Sequence, residues 1–443
     1  MTMFKRLKKV ATGLAATLVI ATAGMSIPAA ATPTAQAAIA AKVTTVDLKA
    51  KAGLAIDAKT GQILYDKNST KVLPAASMSK LLSLYIILEN IHSGKLKWDQ
   101  KIKIDNTVYK MSQDTNLSNV PLRKDKEYTV KELYQASIIY SANAAVTALG
   151  DAVAGSPHAF VSQMRSTAKK LGITDAKIYN ASGLTNKQVS DAGYDNVANS
   201  AENEFSARDM GKLAVALLNK YPEILQTTSI KKMWFEKGTD DQIKMENWNW
   251  MLPGLANSYS ALPVDGLKTG TSDAAGANFT GTVKKNGNRI ITVVMGAAHK
   301  SETDSSRFVQ TQHIMSYVFQ NFKTTTYTNS QIKGVKSIST SNGKEKTVKV
   351  QLKSPLKLWI RNNQVASNAT GSIKLKKSLN KDGKLVAPVS KGKTIGAASI
   401  SLKGDQLGFV DGKSATSVSV KTATKVEKAN IFVRMWRGLV ALF

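Results

Sequence analysis

Ser77-Met78-Ser79-Lys80 places a hydroxyl and an amine three residues apart, on one face of a helix. A serine becomes a nucleophile only when a base takes its proton, and a lysine can be that base if its amine is held neutral. Such a pair supports acyl transfer through a serine ester. A helix start adds free backbone N–H groups that can stabilise an oxyanion. Spacing alone does not single this pair out. It recurs at Ser229/Lys232, Ser341/Lys344, Ser354/Lys357, Ser378/Lys381 and Ser390/Lys393, where solvated surface pairs are the simpler account. Ser77 differs in following a proline turn at Pro74 and in heading a strongly apolar run.

Two further groups suit the same chemistry. Ser141-Ala142-Asn143 follows the apolar Ile138-Ile139-Tyr140 and precedes a small-residue helix. A second hydroxyl and an amide there can relay a proton and hold a carbonyl; the alternative is helix capping, which Ser and Asn both do well. Lys268-Thr269-Gly270-Thr271 precedes a strand-compatible run. Its lysine can lower the pKa of Lys80 by like-charge repulsion, and its glycine lets a substrate backbone come close. Lys59-Thr60-Gly61 repeats the triplet, but in a turn ahead of the nucleophile, where a structural role is expected. The four histidines, His92, His158, His299 and His313, have no metal spacing, and no Gly-x-Ser-x-Gly elbow exists. A Ser-His-Asp hydrolase is therefore not expected, nor is a metal or cofactor.

The elements that must position these groups follow from hydrophobic period. Leu54-Ala55-Ile56 and Gln62-Ile63-Leu64-Tyr65 flank a polar turn ending at Gly61, the pattern of a β-hairpin. Ser77 to Ile91 has helical spacing, with Gly94 as its stop. Residues 129–152 and 207–219 also read as helices, and Phe308 to Phe322 returns to helical spacing. The β-branched run from Arg289 to Gly296 is a buried strand. The mixture predicts an α+β catalytic domain over residues 45–325, an antiparallel sheet covered by helices. From 328 to 423 the chain is rich in Ser, Thr, Lys and Val, with turns at Asn342-Gly343 and Asp382-Gly383. That predicts a small all-β domain.

Both ends have their own character. Lys5, Arg6, Lys8 and Lys9 precede an apolar run from Val10 to Ile27, then small residues at Ala29-Ala30-Ala31 and Ala35-Gln36-Ala37. Residues 1–37 read as a signal peptide, the alternative being an uncleaved anchor; either delivers the body outside the cytoplasm. In residues 428–443 the apolar Ile431, Phe432, Val433, Met435, Trp436, Leu439, Val440, Leu442 and Phe443 gather on one side of a helix, opposite Arg434, Arg437 and Gly438. The segment is too short to span a bilayer. It suits the membrane interface, with its arginines toward the head groups; the alternative is docking on the protein's own core. The absence of cysteine rules out disulfides and thiolate metal sites. A net charge of +30 favours polyanions, among them anionic lipid and wall polymers. No nucleic-acid-binding motif is present, so no nucleic-acid partner is expected.

The ordered set Ser77-x-x-Lys80, Ser141-x-Asn143 and Lys268-Thr269-Gly270 resembles the penicillin-binding protein and serine β-lactamase superfamily. In detail, Pro74 to Lys80, Asp265 to Thr271 with Ala275-Gly276, and Arg307-Phe308 resemble the low-molecular-mass D-alanyl-D-alanine carboxypeptidases, as do the β domain and the amphipathic tail. The resemblance implies a β-lactamase/transpeptidase-like domain and hydrolysis of the terminal D-alanine of peptidoglycan stem pentapeptides, at the outer face of the cytoplasmic membrane or in the cell wall. Penicillins and other β-lactams would be covalent inhibitors. It implies that Ser77 forms the acyl-enzyme, Lys80 takes its proton, Ser141 passes the proton on, and Asn143 orients Lys80 and binds a substrate amide. Lys268, Thr269, Gly270 and Arg307 would bind substrate near its carboxylate, with the N–H groups of Ser77 and Thr271 as the oxyanion hole. A β-lactamase of class A would carry Glu-x-x-Leu-Asn between Asn143 and Lys268, which is absent here. A cross-link endopeptidase would use the same fold, and a non-catalytic wall-binding or penicillin-sensing protein would keep it without needing all five motif residues. Asn180-Ala181-Ser182-Gly183-Leu184 resembles a loop common in that family, and the stretch after it, up to Glu204, is longer and more acidic than the resemblance leads one to expect.

Overall fold

The computed structural model describes residues 45–365, 369–404 and 407–440. The expected signal peptide lies outside them. At the centre is a five-stranded antiparallel sheet built from β1 (Ala52–Asp57), β2 (Ile63–Lys67), β3 (Val264–Ser272), β4 (Gly276–Lys285) and β5 (Asn288–Ala297), in the spatial order β2-β1-β5-β4-β3. The hairpin expected around Gly61 joins β1 to β2. Period-two alternation sends side chains to both faces. Leu54, Ile56, Ile291, Val293 and Met295 join one buried cluster with the main helical layer. Ala55, Ile290 and Val294 join another with Phe308, Ile314, Met315 and Val318. A sheet buried on both faces explains why these strands read as near-continuous apolar runs.

The helices that bear on the site are α1 (Lys80–His92), α2 (Val130–Ile139), α3 (Asn143–Ala154), α4 (Ala207–Lys220) and α5 (Ser306–Asn321). Thr129 with Glu132 and Ser206 with Asp209 form capping boxes that start α2 and α4. Two expectations need correction here. Residues 129–152 are not one helix: the chain breaks between α2 and α3, where Ser141 takes φ +61°. Nor does Ser77 lie on the α-helix itself. It sits in a 3₁₀ turn, Ala76–Ser79, that leads into α1, and Ala76 before it has φ +47°. Left-handed backbone at a non-glycine residue is strained, and here it occurs within both motif segments that carry serines.

A β domain follows, with an eight-stranded sheet and a two-stranded ribbon. The ribbon pairs Phe322–Tyr327 with Leu356–Arg361, so its first strand crosses the boundary expected between 325 and 328. The domain is fastened to the catalytic sheet by the pairing of Gln62 with Phe409 and by Trp359. Gln62 Nε2 donates to the Trp359 carbonyl at 2.8 Å, Trp359 N donates to Gln62 Oε1 at 2.8 Å, and the indole N–H donates to Asp57 Oδ2 at 2.8 Å. Trp359 itself is buried.

The last helix, Ile431–Val440, has no buried residue. Phe432 is 78% exposed and Met435 and Trp436 67% each. The helical wheel turns both arginines outward, and the structure corrects this for one of them. Arg437 instead donates to the carbonyls of Gly343 and Lys344 at 2.7 and 3.2 Å. The polar side of the helix is thus held by the β domain, and no described residue covers the apolar side. Among the described residues no helix is long and apolar enough to cross a membrane.

Candidate active site

Ser77 opens onto a cleft of about 250 Å³ between the sheet edge β3, the 3₁₀ turn and the α2–α3 break. Ser141, Thr269, Gly270, Thr271 and Arg307 line it too. The turn is brought against β3 by glycine. A Cβ on Gly270 would stand 2.5 Å from the Ala75 carbonyl oxygen and 3.2 Å from Ser77 N, so no larger residue fits without displacing the nucleophile. Asn278 on β4 reinforces the contact by donating to the Pro74 carbonyl at 3.0 Å.

Lys80 is completely buried. Its Nζ lies 2.7 Å from Ser77 Oγ, 2.7 Å from Asn143 Oδ1 and 2.9 Å from the Ser182 carbonyl oxygen. The Asn143 amide is oriented by its other end, where Nδ2 donates to the Ser118 carbonyl at 3.0 Å. Burial, and after it the nearby Lys268 charge, hold the Lys80 pKa well below that of a free lysine. Asn143 Oδ1 and the Ser182 carbonyl can only accept hydrogen bonds. A neutral amine satisfies both with its two N–H groups and keeps its lone pair for the Ser77 hydroxyl. That is the arrangement a general base needs. Asn143 therefore serves Lys80, and α3 begins without a side-chain cap.

Lys268 on β3 is also buried, and its Nζ donates to the Thr269 carbonyl at 3.1 Å. Burial first, then repulsion by Arg307, lower its pKa to about 7. Arg307, on the first turn of α5, donates from Nη1 to the carbonyls of Gly270 and Asn278 at 3.1 and 3.3 Å. It thus braces β3 and β4 while lining the cleft. Burial lowers its pKa to about 10, against the attraction of Asp304 and Glu302. The second triplet plays no part in this site: Thr60 and Gly61 close the β1–β2 turn on Asp57.

Several members of the site carry no sequence signal of their role. The Ser182 carbonyl completes the Lys80 cage, and Gly183 after it has φ +85°, where a Cβ would stand 1.9 Å from the Ala76 carbonyl oxygen. The acidic stretch before Glu204 supplies a brace. Buried Glu202 accepts from Ser272 Oγ with both oxygens, each at 2.9 Å. Ser272 Oγ in turn accepts from Ala275 N at 3.0 Å. The neighbouring Asn203 carbonyl accepts from Ala75 N at 2.9 Å, and its side-chain oxygen accepts from Tyr179 N at 2.7 Å. One dipeptide thereby ties the end of β3, the nucleophile turn and the Ser182 loop together. Trp248, Trp250 and His299 form further cleft wall.

Residues 36–299 match the family model described as D-alanyl-D-alanine carboxypeptidase (peptidase S11), and residues 322–428 match that of the penicillin-binding protein 5 C-terminal domain. The chain is 28% identical over 363 residues to the D-alanyl-D-alanine carboxypeptidase DacF of Bacillus subtilis, covering 81% of this chain and 83% of that protein. Its fold is similar to the crystal structure of a peptidoglycan synthesis regulatory factor, PBP3, from Streptococcus pneumoniae. The TM-score is 0.72 at 30% identity, over 86% of this chain and all of that one. Penicillin-binding protein D2 of Listeria monocytogenes, solved in a cefotaxime-bound form, matches with a TM-score of 0.51 at 30% identity, over 62% of this chain and 99% of that one. The α+β domain with its Ser77–Lys80 cleft and the β domain behind it place the chain in the D-alanyl-D-alanine carboxypeptidase family, peptidase S11.

Proposed function

We propose that the protein removes the terminal D-alanine from peptidoglycan stem pentapeptides through an ester on Ser77. The observation that carries this is the buried amine of Lys80, 2.7 Å from the Ser77 hydroxyl and enclosed by two pure acceptors. Lys80 Nζ takes the hydroxyl proton as Oγ attacks the carbonyl carbon of the penultimate D-alanine. The resulting oxyanion is received by the N–H groups of Ser77 and Thr271. Collapse breaks the C–N bond, and Ser141 passes the proton from Lys80 to the leaving amine. Water then attacks the ester by the same route, with Lys80 again as base. The terminal carboxylate of the substrate is met by Thr269 and Lys268, with Arg307 adding positive field. Carboxylate binding favours the protonated form of Lys268, which in turn keeps Lys80 neutral.

The same geometry fits a β-lactam carbonyl, and the cefotaxime complex of the Listeria relative supports that extension. Incubation with labelled penicillin tests it: a stable adduct on Ser77 is expected. Rapid turnover of the drug would instead indicate a β-lactamase, and no adduct would contradict both. Peptidoglycan lies outside the cytoplasm, which supports an exported enzyme. The open apolar side of the last helix, with Phe432, Met435 and Trp436, suits the membrane interface, which would hold the body near the outer face of the cytoplasmic membrane.

A further inference from the structure

Half of the chain's net charge lies in its β domain. Residues 328–428 carry 20 lysines and arginines against five acids. Among the described residues, ion pairs there engage Lys344 and Lys425, both with Glu427, and Lys413 with Asp411. The rest of this charge has no acidic partner among the described residues, so the domain as a whole favours an anionic surface.

Several of the domain's lysines, the two that share Glu427 among them, surround the root of the last helix. The turn at Asn342–Lys344 runs beside residues 427–429: Lys344 N donates to the Glu427 carbonyl at 2.8 Å, Ala429 N donates to the Asn342 carbonyl at 2.9 Å, and Gly343 bridges Lys428. Arg437 reaches back to the same turn. Lys344, Lys346, Lys425 and Lys428 are all exposed here. The side chains of Lys344 and Lys425 are 69% and 74% accessible. An open apolar helix face and a ring of lysines therefore belong to one end of the molecule, held together by Arg437.

We infer that this end of the β domain is a binding surface for anionic phospholipid head groups, with the helix entering the apolar layer and the four lysines meeting the phosphates. The inference rests on the membrane reading of the helix and adds a lipid preference to it. A wall polymer would match the charge but would leave Phe432, Met435 and Trp436 uncovered, whereas a bilayer surface covers both.

The test is co-sedimentation of the full chain with vesicles of phosphatidylcholine alone and of phosphatidylcholine mixed with phosphatidylglycerol. The mixed vesicles should be bound at least about tenfold more tightly, with the gain lost at high salt. The variant Lys344→Gln/Lys346→Gln/Lys425→Gln/Lys428→Gln should bind neutral vesicles like the parent. It should lose most of the preference, roughly fivefold for each lysine in contact. Equal binding of the parent to both vesicles would overturn the lipid preference while leaving the membrane reading intact. A variant that keeps the full preference would overturn the assignment to these lysines. Binding to neither vesicle would overturn the membrane reading and this inference with it. Soluble poly(glycerol phosphate) that bound the parent as tightly as mixed vesicles would move the partner from lipid to wall polymer.

Discussion

The Lys80 amine and the Ser77 hydroxyl stand 2.7 Å apart in a cage that leaves the amine one free valence, its lone pair. Burial lowers the Lys80 pKa, and Lys268 lowers it further. Acylation should therefore rise with pH as Lys80 loses its proton, far below the usual lysine range. Lys268→Met removes a like charge, so the Lys80 pKa rises and the rising limb of acylation moves to higher pH. Lys80→Arg cannot supply a neutral base and should slow acylation at least about 10³-fold. Stopped-flow acylation by a chromogenic penicillin across pH measures both effects.

Glu202 touches neither Ser77 nor Lys80, yet it holds the residue after Thr271 through Ser272. Glu202→Ala should slow acylation about 10- to 100-fold, because small misplacement of the Thr271 N–H, the proposed oxyanion donor, is costly. KM for peptide should change little. Glu202→Gln keeps an acceptor for Ser272 and should recover most of the rate. Equal loss in both variants would show that the carboxylate charge matters rather than the hydrogen bond.

Trp359 is shared between the two domains, buried against Phe319 and bonded to Gln62 and Asp57. Trp359→Ala should cost about 3–5 kcal/mol. It should also split unfolding into two calorimetric transitions, while acylation of Ser77 in the folded protein stays near the parent rate.

Asp151 on α3 has both carboxylate oxygens buried without a partner. Burial, then Asp105, raise its pKa to about 7 from the usual 3.8. The folded state thus holds this proton more tightly than the unfolded chain does. Stability associated with it is present below pH 4 and is lost as pH rises from about 4 to about 7. Asp151→Asn should stabilise the protein at pH 8 by on the order of 1 kcal/mol and have little effect at pH 4, as thermal melts at the two values would show.

Much of the site was legible because its chemistry is carried by residue types at short spacing. Ser77/Lys80, Ser141/Asn143 and Lys268 to Thr271 are local patterns, and the strands and helices that hold them have clear periods. What was hidden depends on contacts between distant segments or on backbone atoms. The Ser182 carbonyl has no side-chain signature. Glu202 meets Ser272 seventy residues away, and in sequence it was one more acid in a polar stretch. The period over 129–152 suits a continuous helix because Ile138 to Ala148 keeps an apolar, small-residue composition, and only the capping character of Ser141 and Asn143 points to a helix start there. Likewise, the wheel that grouped Arg434 with Arg437 could not show that a carbonyl pair in the β domain would claim Arg437.

The central claim is that Ser77 carries the acyl group while one D-alanine leaves. Mass spectrometry of a purified stem pentapeptide after incubation with the protein tests it most directly. Loss of one D-alanine is predicted with the parent, and a rate at least about 10⁴-fold lower with a Ser77→Ala variant that melts like the parent. Release of D-alanine by that variant at near-parental rates would contradict the account, as would an unchanged pentapeptide with the parent protein.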